Sequence, residues 1–592
     1  MSSRFLFCCL ALGLGTAFAA APAFRQADPT TTPGRQVAPF RLNDVRDNKL
    51  VDLADSKGYK ATVVLFLGTE CPINNDYLPE LSRLHADYAE KGVRFVAVNS
   101  NSQDSLARVA EHARRHKIPF PVVKDPGNKV ADDFQARRTP EAFVLSPALR
   151  ILYQGRIDDQ FGYEYRRPGR PHRRDLAQAL DEVLAGKPVS VARTEVAGCF
   201  IGRVRTVRTE GKVTFTRDIS RILQKNCQEC HRPGQIGPMP LFEYEDVVAW
   251  GETIREVVSD NRMPPWYADP KFGKWANDRR LSKEEKDLLL AWIDEGMPRG
   301  NPADLPAPRQ FPKEWQIGEP DVVLTMPKAF EVPAETPKGG VPYKYFTVPT
   351  NFTEDRWIQA AEARPGAPEV VHHIIIFILA PGEVFRPDAP GAVLTGTAPG
   401  EMPLVLPPGQ AKKIPAGARL LFQMHYTPNG KAQSDRSSVA LIFAKQPPKH
   451  RILTNPIHNR LFISRLLSIP PGADNHRIEA SHTFREDVHL VAFMPHMHLR
   501  GKDFRYEAHY PDGRKEILLS VPRYNFNWQT LYRPEKPIAL PKGTTLHCVA
   551  HFDNSDKNPQ NPDPTERVYW GDQTWQEMMV GWIDYYRDNE KP

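Results

Sequence analysis

The sequence predicts a multidomain protein: an α/β domain, then an all-α domain, then a long all-β region of two sandwiches. Three observations predict it. At 592 residues the chain exceeds what one core organises, and about 150 residues per domain gives three or four domains. The hydrophobic period changes along the chain. Strand-like runs alternate with helical ones to about residue 205, helical spacing covers 213–299, and short alternating strands follow from about 319. Proline, at 57 residues, is about twice its usual share and suits loop-rich β structure better than long helices.

The composition, 41% hydrophobic and 25% charged, is that of folded protein. A net charge of +7 with no long basic block excludes nucleic acid as an implied partner. Residues 1–19 read as a signal peptide, with Arg4 as the charged start, Leu6 to Phe18 apolar, and Ala17-Phe18-Ala19 as the cleavage site. Residues 20–37 read as a linker. No later window offers ~20 apolar residues, so the mature chain is expected to lack a membrane span and to be periplasmic or secreted. Removal of Cys8 and Cys9 with the signal leaves Cys71, Cys199, Cys227, Cys230 and Cys548, too few for a disulfide scaffold.

The first domain spans 38–204. Its expected strands are Thr62 to Gly68, Val93 to Ser100, Ala142 to Leu145 and Ile151 to Gly155, with helices at Asp76 to Lys91, Ser105 to His116 and Asp175 to Ala185. The helical domain spans 205–300 and includes a helix at Ser282 to Glu295. A Pro-rich linker follows at 301–318. The β region divides into sandwiches at 319–448 and 449–592.

Cys227-Gln228-Glu229-Cys230-His231 is the sharpest short motif. C-x-x-C-H lets two thiols bond haem vinyl groups while the adjacent histidine ligates iron. A redox C-x-x-C or half a zinc site is the other reading, but no second cysteine pair exists for zinc. The sixth ligand is assigned to Met263 in Arg262-Met263-Pro264-Pro265-Trp266, with Met239 and Met297, each also beside a proline, as alternatives. Residues 213–300 resemble a class I-type cytochrome c, in which a Met-Pro-Pro loop is a frequent distal ligand. One covalent haem c is the implied cofactor.

Thirteen of the 18 histidines lie between residues 372 and 551. His496-Met497-His498 is an H-x-H on an apparent strand, where residues two apart share a face and two imidazoles can grip one metal. His372-His373 are neighbours, which a flat strand points to opposite faces, so one metal needs a local twist or different ring nitrogens. His425 ends Leu421-Phe422-Gln423-Met424-His425-Tyr426, another short strand. The order of these pieces, followed by Glu577-Met578-Met579 and Tyr585-Tyr586, resembles the copper type II, ascorbate-dependent monooxygenases, which include the peptidylglycine and dopamine hydroxylases. The resemblance covers about 320–590. It implies two jelly-roll-like sandwiches with two coppers, one held by His372, His373 and His425, the other by His496, His498 and Met578. The second, thioether-ligated site would meet dioxygen and the first would store an electron.

Two departures bear on the substrate. The peptidylglycine enzymes place an arginine two residues before the H-x-H, and an Asn and a Tyr after the methionine, to bind the substrate carboxylate. Here those positions hold Met494, Val580 and Trp582, which implies a more apolar pocket. The animal enzymes are also rich in disulfides, whereas this region has only Cys548, read as a buried free thiol sharing a face with Leu546 and Ala550.

Phe66-Leu67-Gly68-Thr69-Glu70-Cys71-Pro72 places Cys71 between a strand and a helix, where a helix N-terminus favours the thiolate. Thr139-Pro140 reads as a cis-proline loop facing that thiol. Together they resemble the redoxin branch of the thioredoxin fold over 38–190. Asn74 stands where a C-x-x-C pair would have its second cysteine, and Val64 and Gly68 replace the proline and threonine of peroxiredoxins. Cys199 is the remaining resolving partner.

The function expected is an exported copper monooxygenase that hydroxylates a C–H bond of an unidentified organic substrate with dioxygen. Its own haem relays electrons from an external donor, ascorbate-like or a redox protein. The alternatives are a non-oxygenase electron-transfer or copper-binding protein, and a thiol oxidoreductase acting through Cys71.

Overall fold

The computed structural model describes residues 33–590 apart from 56–57, 168–170, 388, 399, 401 and 459–466. The signal-peptide reading and most of the expected linker lie outside the described residues. Residues 33–37, read as linker, belong to the first domain instead: Val37 is buried in its core, and its N–H bonds to the Leu149 carbonyl.

That domain is a five-stranded sheet in the order Val122–Lys124, Val93–Asn99, Ala61–Phe66, Glu141–Leu145, Ile151–Gly155. The first three strands run parallel and the last two antiparallel to their neighbours. Every residue of Ala61–Phe66 is buried, as a central strand covered on both faces requires. Alternate residues of the sheet feed two cores. Val63, Leu65 and Phe95 pack with Leu78, Leu81 and Leu180 on one face, while Val64, Phe66 and Val96 pack with Val130 and Phe134 on the other. The helix after the central strand runs Pro72–Ala89, starting four residues earlier than its apolar pattern suggests. Proline at the first helical position is the reason, since its fixed φ suits the first turn and its missing N–H is not needed there.

Residues 205–300 hold short helices and no strand among the described residues: Phe215–Ile219, Ser220–Asn226, Tyr244–Ala249, Gly251–Ser259 and Lys283–Asp294. A capping box at Ser282 and Glu285 starts the last of them. Ile222, Leu223, Val247, Ile254, Leu289 and Trp292 form the shared core. The long loop between the last two helices returns to this core at Leu281, but its middle packs elsewhere. Trp266, Tyr267 and Trp275 are buried in the C-terminal β core, and Trp266 meets Tyr532 edge-on at 4.9 Å. Beyond a single 3-10 turn at Pro302–Asp304 the stretch 301–318 is irregular, yet it is tied back to the helices through the Arg309–Glu229 ion pair.

The β region is two pairs of antiparallel sheets. In the first, Lys344–Pro349, Arg419–Tyr426, Val371–Leu379 and Val393–Thr397 form one sheet, which shares a core with the sheet of Arg356–Arg364 and Ser438–Phe443. In the second, Leu453–Ile457, Val580–Arg587, Val488–His496 and Ile538–Leu540 face His476–Thr483, Thr545–Phe552, Gly501–His509 and Lys515–Val521. Burial alternates along Gly501–His509, the period-two pattern of a strand with one wet face. Cys548 is fully buried and free. His547 and His551 lie on the opposite, half-buried face, the latter bonded to Asp503 at 2.7 Å.

Candidate functional site

His373 and His425 sit directly opposite each other on neighbouring strands. The ladder slips between Val371 and His373, so His372 is an extra residue with no partner across the strand. Such a bulge supplies the local twist that two adjacent histidines need to reach one side. The three rings close a triangle with centroids 5.7, 5.1 and 5.0 Å apart, and one nitrogen from each lies within 4.8 Å of the others. Nδ1 of His372 and Nε2 of His373 are buried with no hydrogen-bond partner. Burial, then the neighbouring imidazoles, lower all three pKa values: His372 to about 3, His425 to about 4, and His373 well below its ordinary value. Three neutral, inward-facing imidazoles with open nitrogens are a donor set for a borderline metal ion. Tyr343 covers His373 and His425 at 5.3 and 5.1 Å.

The H-x-H departs from expectation in one respect. His496 is the last residue of its strand and His498 lies in the turn beyond it, so a shared strand face does not bring them together. Side chains do. The Tyr524 hydroxyl pins Met497 by accepting from its N–H at 3.1 Å and donating to its carbonyl at 2.8 Å. The fully buried Glu577 accepts the N–H groups of His498 at 2.9 Å and Arg500 at 2.6 Å. The two rings meet edge to face with centroids 5.2 Å apart. Nδ1 of His496 pairs with Gln529 Oε1 at 2.7 Å and Nδ1 of His498 with the Gln576 carbonyl at 3.2 Å. Both Nδ1 positions therefore carry the proton, which frees Nε2 in each ring for a metal. Burial pushes the Glu577 carboxyl up to about 7 against the Arg500 charge and its hydrogen bonds.

Met578, next to Glu577, lines a cavity of about 440 Å³ between the sandwiches, together with His373 and His496. Phe377, Val393, Met494, Val580 and Trp582 are among its apolar walls. The buried Lys412 also reaches this wall, but its ammonium donates to the carbonyls of Val393 and Leu394 and to Thr454 Oγ1. Sequence reasoning missed Tyr343, Tyr524, Gln529 and the orienting role of Glu577. Only Glu577 carried a signal, as the acidic neighbour of Met578.

The C-x-x-C-H residues form one tight turn at the end of Ser220–Asn226, where the N–H groups of Cys230 and His231 both reach the Cys227 carbonyl. Both thiols are free, and burial raises them, Cys227 to about 12. His231 Nδ1 pairs with the Met239 carbonyl at 3.1 Å, leaving Nε2 open. Gly237 presses on this turn, since a Cβ there would meet the Cys230 carbonyl at 2.6 Å. Of the three methionines weighed, Met239 and Met297 belong to the helical core, whereas Met263 is half-buried outside it.

Cys71 caps the helix Pro72–Ala89, and its Sγ donates to the Thr139 carbonyl at 3.0 Å, beside the cis Thr139–Pro140 bond. Cys199 lies directly across the strand pairing from Thr139, next to this thiol.

Two separate domains thus carry redox-type side chains, and known proteins match both. The family model described as AhpC/TSA family matches residues 33–154, and the model for the copper type II ascorbate-dependent monooxygenase C-terminal domain matches 463–591. The thiol-disulfide oxidoreductase ResA of Halalkalibacterium halodurans is 28% identical over 134 residues, 22% of this chain and 74% of that protein. The ResA of Bacillus subtilis is 28% identical over 119 residues, 20% of this chain and 64% of that one. An uncharacterized conserved protein from Geobacillus kaustophilus has a crystal structure with 34% identity, covering 29% of this chain and 92% of its own, at a TM-score of 0.27. The chain carries a thioredoxin-like redoxin domain near its start and a copper monooxygenase-like domain at its end.

Proposed function

We propose that this protein is an exported copper-dependent monooxygenase that hydroxylates a C–H bond, with electrons relayed by a covalently attached haem c. The observation that carries the reading is the pairing of two imidazole clusters with open ring nitrogens on one inter-sandwich cavity. His372, His373 and His425 would hold one copper, and His496, His498 and Met578 the other. When bound, copper supplies dioxygen activation and single-electron storage. The chain's own part is orientation. Gln529 and the Gln576 carbonyl fix the tautomers of His496 and His498, Tyr524 holds Met497 between them, Glu577 holds the turn that follows, and Tyr343 shields the triad. The apolar part of the wall, Phe377, Val393, Met494, Val580 and Trp582, suits an organic substrate with a largely apolar body, and the Lys412 ammonium beside it is engaged by protein acceptors.

Cys227, Cys230 and His231 would hold the haem, with Met263 as the sixth ligand, and the open Nε2 of His231 supports that assignment. The loop after Met263 supports a relay to the copper region, since Trp266 packs on Tyr532, three residues from Gln529. An external donor, ascorbate-like or a redox protein, would supply the electrons. Export rests on the Arg4 to Ala19 segment. The test is copper and haem content by metal analysis and visible spectroscopy, combined with oxygen uptake that yields hydroxylated product. Two coppers and one haem without any oxygenated product across a panel of uncharged aromatics and alkanes would favour an electron carrier instead.

A further inference from the structure

We propose that Cys71 and Cys199 form a second redox site, a dithiol that closes to an intramolecular disulfide by exchange with a small external disulfide. The geometry begins with the strand pairing Arg138–Thr139 against Cys199–Phe200, in which Cys199 lies directly opposite Thr139. Thr139 is also the residue whose carbonyl accepts the Cys71 thiol at 3.0 Å. The two sulfurs therefore converge on one residue from different parts of the chain, near enough for each to shift the other's titration. Gly198 permits the approach, since a Cβ there would sit 2.3 Å from the Thr139 carbonyl oxygen.

The second thiol comes from beyond the residues that match the redoxin family, in the connector to the helical domain. Asn74, at the position of the usual second cysteine, is fully buried, and its side-chain amide donates to the Gly68 carbonyl at 2.7 Å and to Asn75 Oδ1 at 3.1 Å, so the side chain has a structural task. The connector strand is held from the helical side. Phe200 donates its N–H to Thr253 Oγ1 at 3.1 Å, and Arg138 bonds the Gly198 carbonyl at 2.7 Å, lies on the Phe200 ring at 3.9 Å and pairs with Glu256 at 3.0 Å. Cys199 packs on the helical core while its thiol meets Cys71. A disulfide here would tie the connector that leads into the helical domain covalently to the redoxin sheet.

The two thiols are unequal. Cys71 stands at the N-terminus of the helix Pro72–Ala89, where the helix favours a thiolate, and against the penalty of burial its partners hold it below its ordinary value, whereas the neighbouring Cys71 and then burial hold Cys199 above. Cys71 is the nucleophile. Its thiolate attacks one sulfur of the external disulfide, that S–S bond breaks, and one thiolate leaves. Cys199 then gives its proton to that thiolate and attacks the Cys71 sulfur, expelling the second thiolate. Two electrons pass from the protein to the external disulfide, which ends as two thiol equivalents. Only 1% of Cys71 is exposed, so the exchanging partner is a small molecule rather than a folded protein.

The test uses the full-length protein equilibrated at poises from reduced dithiothreitol to glutathione disulfide, acid-quenched, alkylated and peptide-mapped. The expected result is a single two-electron transition in which the Cys71 and Cys199 peptides become linked to each other. Cys71→Ser should leave Cys199 reduced throughout, and Cys199→Ser should trap glutathione on Cys71. Mapping of the unsubstituted chain decides the matter even if a variant misfolds, and it is independent of metal content. Absence of the linked peptide in glutathione disulfide alone, with native circular dichroism retained, overturns the proposal. So does a glutathione adduct on Cys71 that Cys199 never resolves.

Discussion

Phe526, from the C-terminal sandwich, stacks on His372 of the preceding one, with ring centroids 5.1 Å apart and planes at 15°. The same ring meets His498 edge-on at 5.8 Å. One side chain therefore touches both imidazole clusters and fixes their separation. Phe526→Leu keeps an apolar side chain but removes the flat surface, a loss of about 1 kcal/mol of ring contact. We expect two coppers per chain to remain, with turnover reduced about fivefold and more oxygen consumed per product formed. Unchanged coupling of oxygen to product in this variant would mean that the ring is only a spacer.

Gln529 acts on one cluster alone. Its Oε1 is the partner of the His496 Nδ1 proton at 2.7 Å, and removal of such an outer partner typically costs about 10–100-fold in metal affinity. Gln529→Ala should weaken one copper by that factor in a competitive chelator titration and leave the other unchanged. Equal weakening at both sites would point to a general loosening of the cavity.

Burial holds the triad imidazoles neutral far below the usual histidine range, His372 to about 3 and His425 to about 4. Above pH 5 these two rings have no proton to lose. Copper binding at the triad should therefore release no protons from them, and its affinity should stay flat from about pH 7 to about pH 5 before falling as pH drops through 4. An exposed three-histidine site weakens much sooner, once pH falls below about 6.5. Titration calorimetry in buffers of different ionisation enthalpy separates the two.

Much of this was legible in the sequence, and the misses have physical causes. Buried apolar runs and the break in period gave the α/β domain, the helices and the β region, because burial dictates period locally. His372-His373 named a site but not its mechanism: the slip that turns both rings inward depends on how Val371–Leu379 pairs with a strand some fifty residues away. His498 was assigned to a strand, whereas Glu577 and Tyr524 hold it in a turn, and a contact across the fold leaves no local mark. Gln529 and Phe526 are invisible for the same reason. Cys199 could be named by elimination, since so few thiols remain, but only the register against Thr139 brings it to Cys71.

The helical domain offers a simpler check. Cys227→Ala should abolish haem staining on a denaturing gel, and persistence of covalent haem in a Cys227/Cys230 double variant would contradict the assignment. Met263→Ala should retain the stain and lose the low-spin absorption of a methionine-ligated iron. Met239 is a core residue whose carbonyl orients His231, so Met239→Ala should lower stability by about 2–5 kcal/mol and leave that absorption in place. Loss of the absorption in Met239→Ala instead would move the ligand into the core.

Met578 is the residue on which the oxygenase reading turns. It is half-exposed to the cavity, beside the Glu577 carboxylate that holds His498, and shares the wall with His496 and Met494. A thioether adds little to the binding of Cu(II), for which imidazoles dominate, but it favours the reduced ion. Met578→Ala should thus retain two type 2 Cu(II) signals per chain by electron paramagnetic resonance while hydroxylation falls at least about a hundredfold, equivalent to about 2.7 kcal/mol of barrier. His425→Ala should do the reverse, losing the triad copper while the other signal persists. Met494, Val580 and Trp582 stand where the peptidylglycine enzymes place their carboxylate-binding Arg, Asn and Tyr, so a glycine-extended peptide should be a poor substrate beside an uncharged aromatic of similar size. Full activity in Met578→Ala, or one copper per chain in the unsubstituted protein, is incompatible with the two-site mechanism. Efficient turnover of the peptide would leave that mechanism standing and overturn only the reading of the pocket.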